Sequence, residues 1–219
     1  MAKSSRDLFR VTLLGTGAPP PRLDRFGPST LIEVGNEKFI VDAGRGAMQR
    51  IYQLGIPFGD ITGIFLTHHH SDHVVGFPDL WLTGWIGRPW GKRNKPLHVW
   101  GPEGTRQMME YLPQAFAVDI HVRSRNYSPD GVKLVAEEIA EGVVFNRNGI
   151  KVSAFEVDHG GEELPAYGYR IDYQGRAAED LIPATRKQYL GPLIVGEDLL
   201  QIEIGERVET HRFADNRSG

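Results

Sequence analysis

Short runs in which apolar residues alternate with polar ones, or stand together, mark the first part of the chain: LFRVTLLG, STLIEVG and KFIVDAG. Bounded by Gly, Pro and Asn, they predict three strands, the second and third turning at GNE. RGAMQRIYQLG instead carries its apolar residues at helical spacing and stops at Gly55, which predicts a helix after the third strand. ITGIFLTH reads as a buried strand. Beyond it, FPDLWLTGWI is apolar enough for a buried helix, PLHVWG predicts a strand, and GTRQMMEYLPQAF predicts a helix with Gly104-Thr105 at its start. VVFNRNGIKVSAFEVDHG reads as a hairpin turning at Asn148-Gly149, and AYGYRIDYQG as another strand. Strands and helices alternate unevenly. That mixture predicts sheets packed together with helices outside, a layered α/β sandwich, rather than the regular rhythm of a doubly wound fold.

Composition adds limits. The 219 residues, 40% hydrophobic and 24% charged, suit one globular core, with no low-complexity tract or internal repeat. A net charge of -3 provides no global field for nucleic acid or an anionic membrane, leaving only a local patch to do so. MAKSSRDLFRVTLLG lacks the apolar stretch of a signal segment, and no other segment approaches a membrane span, so a soluble, cytoplasmic protein is expected. With no cysteine, disulfides and thiolate metal sites are excluded. Any metal must be held by His, Asp or Glu.

The candidate chemistry lies in THHHSDHVVG, Thr67 to Gly76, directly after the apolar ITGIFL. The useful spacing is His68-x-His70-x-Asp72-His73. On a loop leaving a strand end, alternate residues can point the same way, so His68 and His70 can share one metal while Asp72 and His73 turn toward a second. Imidazole and carboxylate without thiolate suit Zn, Mn or Fe. The competing reading is an exposed His-rich loop, which has no reason to sit at the exit of an apolar strand with Asp in register and Gly76 closing it.

Here the chain resembles the metallo-β-lactamase-fold hydrolases, whose signature loop is His-x-His-x-Asp-His. LLGTGAPPP, DRFGPSTLIE, FIVDAGRG, VWGPEGT and VDHGGEELPAYGYRI extend the resemblance from Leu8 to Arg176 and narrow it to the branch of ribonuclease Z and the arylsulfatase-like and phosphodiesterase-like hydrolases. The resemblance implies an αββα sandwich: residues 1–176 form the metallo-β-lactamase-like domain, and residues 177–219 an atypical C-terminal segment of it. It implies His68, His70 and His159 as ligands of one metal and Asp72 with His73 as ligands of another, two zinc ions being expected and Mn or Fe possible. It implies hydroxide supplied at the metals as nucleophile, with Asp72 also taking a proton, and a small-molecule ester or RNA as substrate. A homodimer is plausible by the same likeness. Asp42 would orient the His loop, although a helix N-cap before RGAMQR explains it almost as well. His69 is the histidine that the spacing does not require and is expected to point away.

Other features read more plainly. GTGAPPP lacks the phosphate-loop patterns and is taken as a strand-to-loop turn at the pocket rim. Trp81 and Trp85 follow helical spacing and are expected in the core, Trp90 in a pocket wall, and the basic GKRNK, Gly91 to Lys95, in a solvated loop. After Arg176 the family's bridging Asp and final His are not recognisable. The open explanations are a divergent tail that recruits Asp198 or His211, a truncation, or a shifted reading frame. Three functions follow: a ribonuclease Z-like phosphodiesterase; a hydrolase of aryl sulfates, phosphotriesters or lactones; and a catalytically silent metal-binding protein. The first has a difficulty, since no long basic Gly/Pro-rich insertion lies between Tyr111 and His159.

Overall fold

The computed structural model describes residues 8–86, 91–159, 164–173, 176–177, 198–204 and 208–212. The opening meander is β1 (Phe9–Gly15), β2 (Ser29–Val34) and β3 (Glu37–Val41), antiparallel throughout and turning between the latter two at Gly35, whose φ of 56° suits a residue without Cβ. Helix α1 (Ala47–Gln53) leads to β4 (Gly63–Phe65), the short α2 (Ser71–Val74) and α3 (Phe77–Ile86). Then follow β5 (Leu97–Gly101), α4 (Thr105–Ala115), α5 (Ala117–Arg123) and β6 (Leu134–Glu138). The last described elements are β7 (Gly142–Arg147), β8 (Ile150–Glu156), β9 (Tyr167–Tyr173), β10 (Arg176–Ala177), β11 (Leu200–Ile204) and β12 (Val208–Arg212).

Two sheets result, an eight-stranded one ordered β12-β11-β1-β2-β3-β4-β5-β6 and a four-stranded one ordered β10-β9-β8-β7. Period-two alternation along the strands builds the layers. Ile40, Ile64 and Val99 face a core shared with Met48 and Ile51 of α1 and Phe77 and Trp81 of α3. Their neighbours Phe39, Phe65 and Trp100 face the second core, against Phe145, Val152 and Ile171 of the smaller sheet. The β7–β8 hairpin turns at Asn148 and Gly149, both at positive φ (56° and 76°), as a two-residue primed turn requires.

β3, β4, β5 and β6 run parallel, so their C-terminal ends open on one edge of the sheet. In parallel sheets this edge is where ligands bind. Among the described residues, no helix is long and apolar enough to cross a membrane.

Candidate metal centre

The edge built by the parallel strands carries Asp42 just after β3 and Thr67 to His73 just after β4. Asp42 has φ 60°, a left-handed conformation that Asp tolerates better than most residues. Its carboxylate accepts from the Thr67 amide (2.8 Å), the Thr67 hydroxyl (2.8 Å) and His73 Nδ1 (2.7 Å). The helix N-cap reading of Asp42 is therefore set aside, because Gly46 caps α1.

These bonds fix the imidazole tautomers. The Thr67 hydroxyl has one proton, and it goes to Asp42, so His68 Nδ1, 2.9 Å from that oxygen, must donate to it. His68 Nε2 is left with its lone pair. His73 likewise donates through Nδ1 to Asp42, so in its neutral form the lone pair is on Nε2, 3.8 Å from Asp72 Oδ2. One carboxylate and one hydroxyl thus orient two histidines, the outer support that metal-binding histidines usually have.

His68, His70 and His159 offer ligand atoms that all lie within 4.8 Å of one another. His68 Nε2 is 3.1 Å from His70 Nδ1, and the His68 and His159 rings are 4.2 Å apart. His159 comes from the other sheet, three residues beyond β8, so the trio assembles only when the two layers pack. The His73 ring lies 4.0 Å from His68 on the side of Asp72, which is buried. Burial, with the neighbouring His73, His159 and His70, pushes the pKa of His68 down to about 4, so it is neutral near pH 7. For His73 burial works against the charged form, but the hydrogen bond and charge of Asp42 and the charge of Asp72 prevail and raise its pKa. Clustered imidazoles, among them a neutral His68 with its Nε2 lone pair free, beside the Asp72 carboxylate are a donor set suited to a divalent cation.

Residues 22–168 match the Metallo-beta-lactamase superfamily. The chain belongs to that superfamily. It is 36% identical over 183 residues to Ribonuclease Z of Mycolicibacterium gilvum, an alignment covering 80% of this chain and 63% of that relative. With Ribonuclease Z of Mycobacterium sp. it shares 33% over 215 residues, covering 92% of this chain and 74% of the relative. Among solved structures it is similar to the short form of human tRNase Z, with a TM-score of 0.61, 24% identity and coverage of 77% and 66%. The metallo-β-lactamase fold protein YhfI from Bacillus subtilis is similar with a TM-score of 0.59 and 16% identity, over 78% of this chain and 61% of that one. Those two likenesses are likenesses of fold. The chain spans about 63% of the length of the Mycolicibacterium gilvum relative.

Within this metallo-β-lactamase frame several expectations change. Asp72 and His73 sit in the first turns of a short helix, α2, rather than in a loop, with the His73 amide bonded to the His70 carbonyl at 3.0 Å. His69 does turn away: its Nε2 lies 3.0 Å from the Thr105 hydroxyl at the start of α4, and that hydroxyl donates to the Pro102 carbonyl. Trp81 and Trp85 are fully buried, while Trp90 lies outside the described residues. GKRNK is not simply a solvated loop, for Arg93 is buried and donates to the carbonyls of Gly131 and Trp81. Burial pushes its pKa down to about 10.

The recruited tail ligands are corrected too. Asp198 is taken up by Thr16, Phe26 and Arg50, and His211 is an exposed residue of β12, at the opposite end of the strand order from β6. Among the described residues the three-histidine group is the one cluster able to hold a metal on distance grounds. Sequence reasoning missed Thr67, whose hydroxyl relays Asp42 to His68. Its signal was its place as the first polar residue after the apolar strand.

Proposed function

We propose that this chain is a metal-dependent hydrolase of the ribonuclease Z type that cleaves a phosphodiester of RNA, in the cytoplasm, with zinc as its ion. The observation that carries the reading is the tautomer control just described: the Asp42–Thr67 pair leaves His68 Nε2 and His73 Nε2 as lone pairs beside His70, His159 and Asp72. His68, His70 and His159 would hold one ion, and Asp72 with His73 a second. When bound, such ions supply Lewis acidity for activating water and stabilising negative charge on phosphate oxygens. The chain's own contribution is orientation. Asp42 keeps His73 and, through Thr67, His68 in register, and Asp72, 3.8 Å from His73 Nε2, would accept a proton from the attacking water. The relatives named Ribonuclease Z support RNA as the substrate class.

A second reading, hydrolysis of a small ester, is favoured by one observation. Tyr111 to His159 is accounted for by α4, α5, β6, β7 and β8 with short connections, and among these residues no arm projects to grip a large RNA. Metal content of the dialysed protein comes first, followed by cleavage of a 3′-extended tRNA and of a nitrophenyl phosphodiester at two salt concentrations. RNA cleavage with steep salt dependence supports the first reading; a salt-insensitive rate on the small ester alone supports the second. Bound metal with neither activity would leave a silent metal-binding protein, and absence of bound metal would refute all three.

A further inference from the structure

Asp198 lies beyond the residues that match the superfamily, yet its carboxylate is among the most enclosed acidic groups described, with a side chain 5% exposed. Oδ1 accepts from the Thr16 amide (2.9 Å) and the Thr16 hydroxyl (3.0 Å). Oδ2 accepts from the Phe26 amide (2.9 Å) and from Nη2 (2.9 Å) and Nε (3.3 Å) of Arg50 on α1. The carboxylate therefore clasps both ends of the loop that joins β1 to β2, and the Gly17 amide bonds the Phe26 carbonyl at 2.7 Å across the same neck. Arg50 also lies over the Phe26 ring, 4.5 Å from its centroid.

The backbone around Asp198 is itself specialised. Leu199 adopts φ 65°, disfavoured for a leucine, while its amide donates to the Leu13 carbonyl at 2.6 Å. β11 continues in antiparallel register with β1, pairing Thr12 with Gln201 and Arg10 with Glu203. Surrounding structure thus holds an unfavourable conformation that delivers Asp198 to the loop neck.

The neck leads to the metal centre. Immediately after Phe26, Gly27 donates to the Arg45 carbonyl at 2.9 Å. A Cβ on Gly27 would come within 2.7 Å of the Arg45 amide nitrogen and 3.3 Å of both the Gly44 carbonyl carbon and the Asp72 carbonyl oxygen, so the loop seats on the Gly44–Arg45 backbone and borders the Asp72 carbonyl. On the other side of Asp72, the Ala43 amide bonds the His73 carbonyl at 2.7 Å. We propose that Asp198 is a positioning residue of the metal centre, fixing the Thr16–Phe26 loop so that Gly27 braces the Asp72–His73 segment. The inference rests on the metal-dependent reading above. It gives the C-terminal segment a part in the site without making it a ligand.

The test uses the full 219-residue protein and its Asp198→Asn, Thr16→Val and Gly27→Ala variants. Zinc is titrated against a chromophoric chelator well below each variant's unfolding temperature, and the unfolding temperature of the chelated protein is measured separately. Asp198→Asn is expected to weaken the less tightly held zinc by on the order of tenfold, the low end for outer-shell losses at metal sites. Gly27→Ala, which keeps the Asp198 clasp but disturbs the seat, should give the same loss, and the double variant should lose no more than the worse single one. Thr16→Val removes one of the five bonds and gives a milder loss, which carries the test should Asp198→Asn fail to fold. Wild-type zinc affinity in the folded variants, with only the unfolding temperature lowered, would make Asp198 a structural anchor and overturn the proposal. A wild-type chain that takes up no zinc would sink the metal-dependent reading itself, a separate and distinguishable failure.

Discussion

Replacing Asp42 with Asn is the sharpest perturbation of the metal centre, because it changes a charge and two donors while leaving the shape intact. Asn also tolerates the left-handed conformation (φ 60°) that the position requires, so backbone strain does not confuse the result. If the Asn oxygen keeps its bond to the Thr67 amide, its NH₂ faces the Thr67 hydroxyl and His73 Nδ1, both of which now meet a donor. The Thr67 proton must then turn elsewhere, and its near acceptor is His68 Nδ1 at 2.9 Å. His68 and His73 are both driven to the tautomer protonated at Nε2, the atom each needs as a lone pair. Loss of one outer-shell partner typically lowers metal affinity 10–100-fold, and with two ligands affected we expect the upper end, about 100-fold, or roughly 2.7 kcal/mol. The metal-free protein should lose about 2 kcal/mol of stability for the charge-assisted bonds and remain folded. Chelator-competition titration with zinc measures the affinity, and ¹⁵N shifts of the histidine rings report the tautomers. Affinity within twofold of wild type, with the rings still protonated at Nδ1, would refute the reasoning.

Three other outcomes follow from the same geometry. Among the adjacent histidines, His68→Ala and His70→Ala should each lower bound zinc measured by elemental analysis, whereas His69→Ala should leave it unchanged and reduce stability by about 1 kcal/mol through the lost Thr105 bond. In the chelated protein, His68, depressed from its ordinary 6.5 to about 4, is protonated more readily in the unfolded chain, so its contribution to stability is present above pH 6.5 and lost as pH falls toward 4. His73, raised, acts in the opposite sense, with its contribution present below the ordinary histidine value and lost as pH rises through the raised one; unfolding temperatures across pH for wild type and His68→Asn separate the two. Arg93→Met should leave two buried carbonyls, of Gly131 and Trp81, without their donor and lower stability by about 3 kcal/mol, while zinc affinity measured on the folded protein stays unchanged.

The strands of the opening meander, α1, α3, α4, the Asn148-Gly149 hairpin and β9 were legible because each has a clear period or a turn residue that fixes its end. β6 escaped because LVAEE is an edge strand with mostly exposed or half-buried positions, and α5 because AVDIHVR buries none of its residues fully. Local pattern records burial, and these elements have little of it. The pairing of His68 with His70 within THHHSDH was legible from spacing, but the tautomers were not, since Asp42 is twenty-five residues from Thr67 and meets it only through the parallel pairing of β3 with β4. Arg93 and Asp198 misled for a related reason. In one dimension the basic run looks solvated and Asp198 looks like a spare ligand, and only tertiary partners, two carbonyls for Arg93 and Arg50 with the Thr16–Phe26 neck for Asp198, reveal how each is used.

The spacing between His68 and His159 is set by the core between the sheets. Phe39, Phe65 and Trp100 of the larger sheet meet Phe145 and Tyr169 of the smaller one at ring separations of 5.1 to 5.7 Å, at the end of β4. Each buried aromatic contributes about 1.5–3 kcal/mol, non-directionally, which brings the layers together without fixing their register. Register needs polar bonds, and two occur at the point where the metal loop begins: Tyr169 donates to the Leu66 carbonyl at 2.6 Å, and the Tyr167 amide donates to the Thr67 carbonyl at 2.9 Å. Apolar burial thus supplies the driving force for a site shared between two sheets, while these two bonds set the height at which His159 reaches His68 and His70.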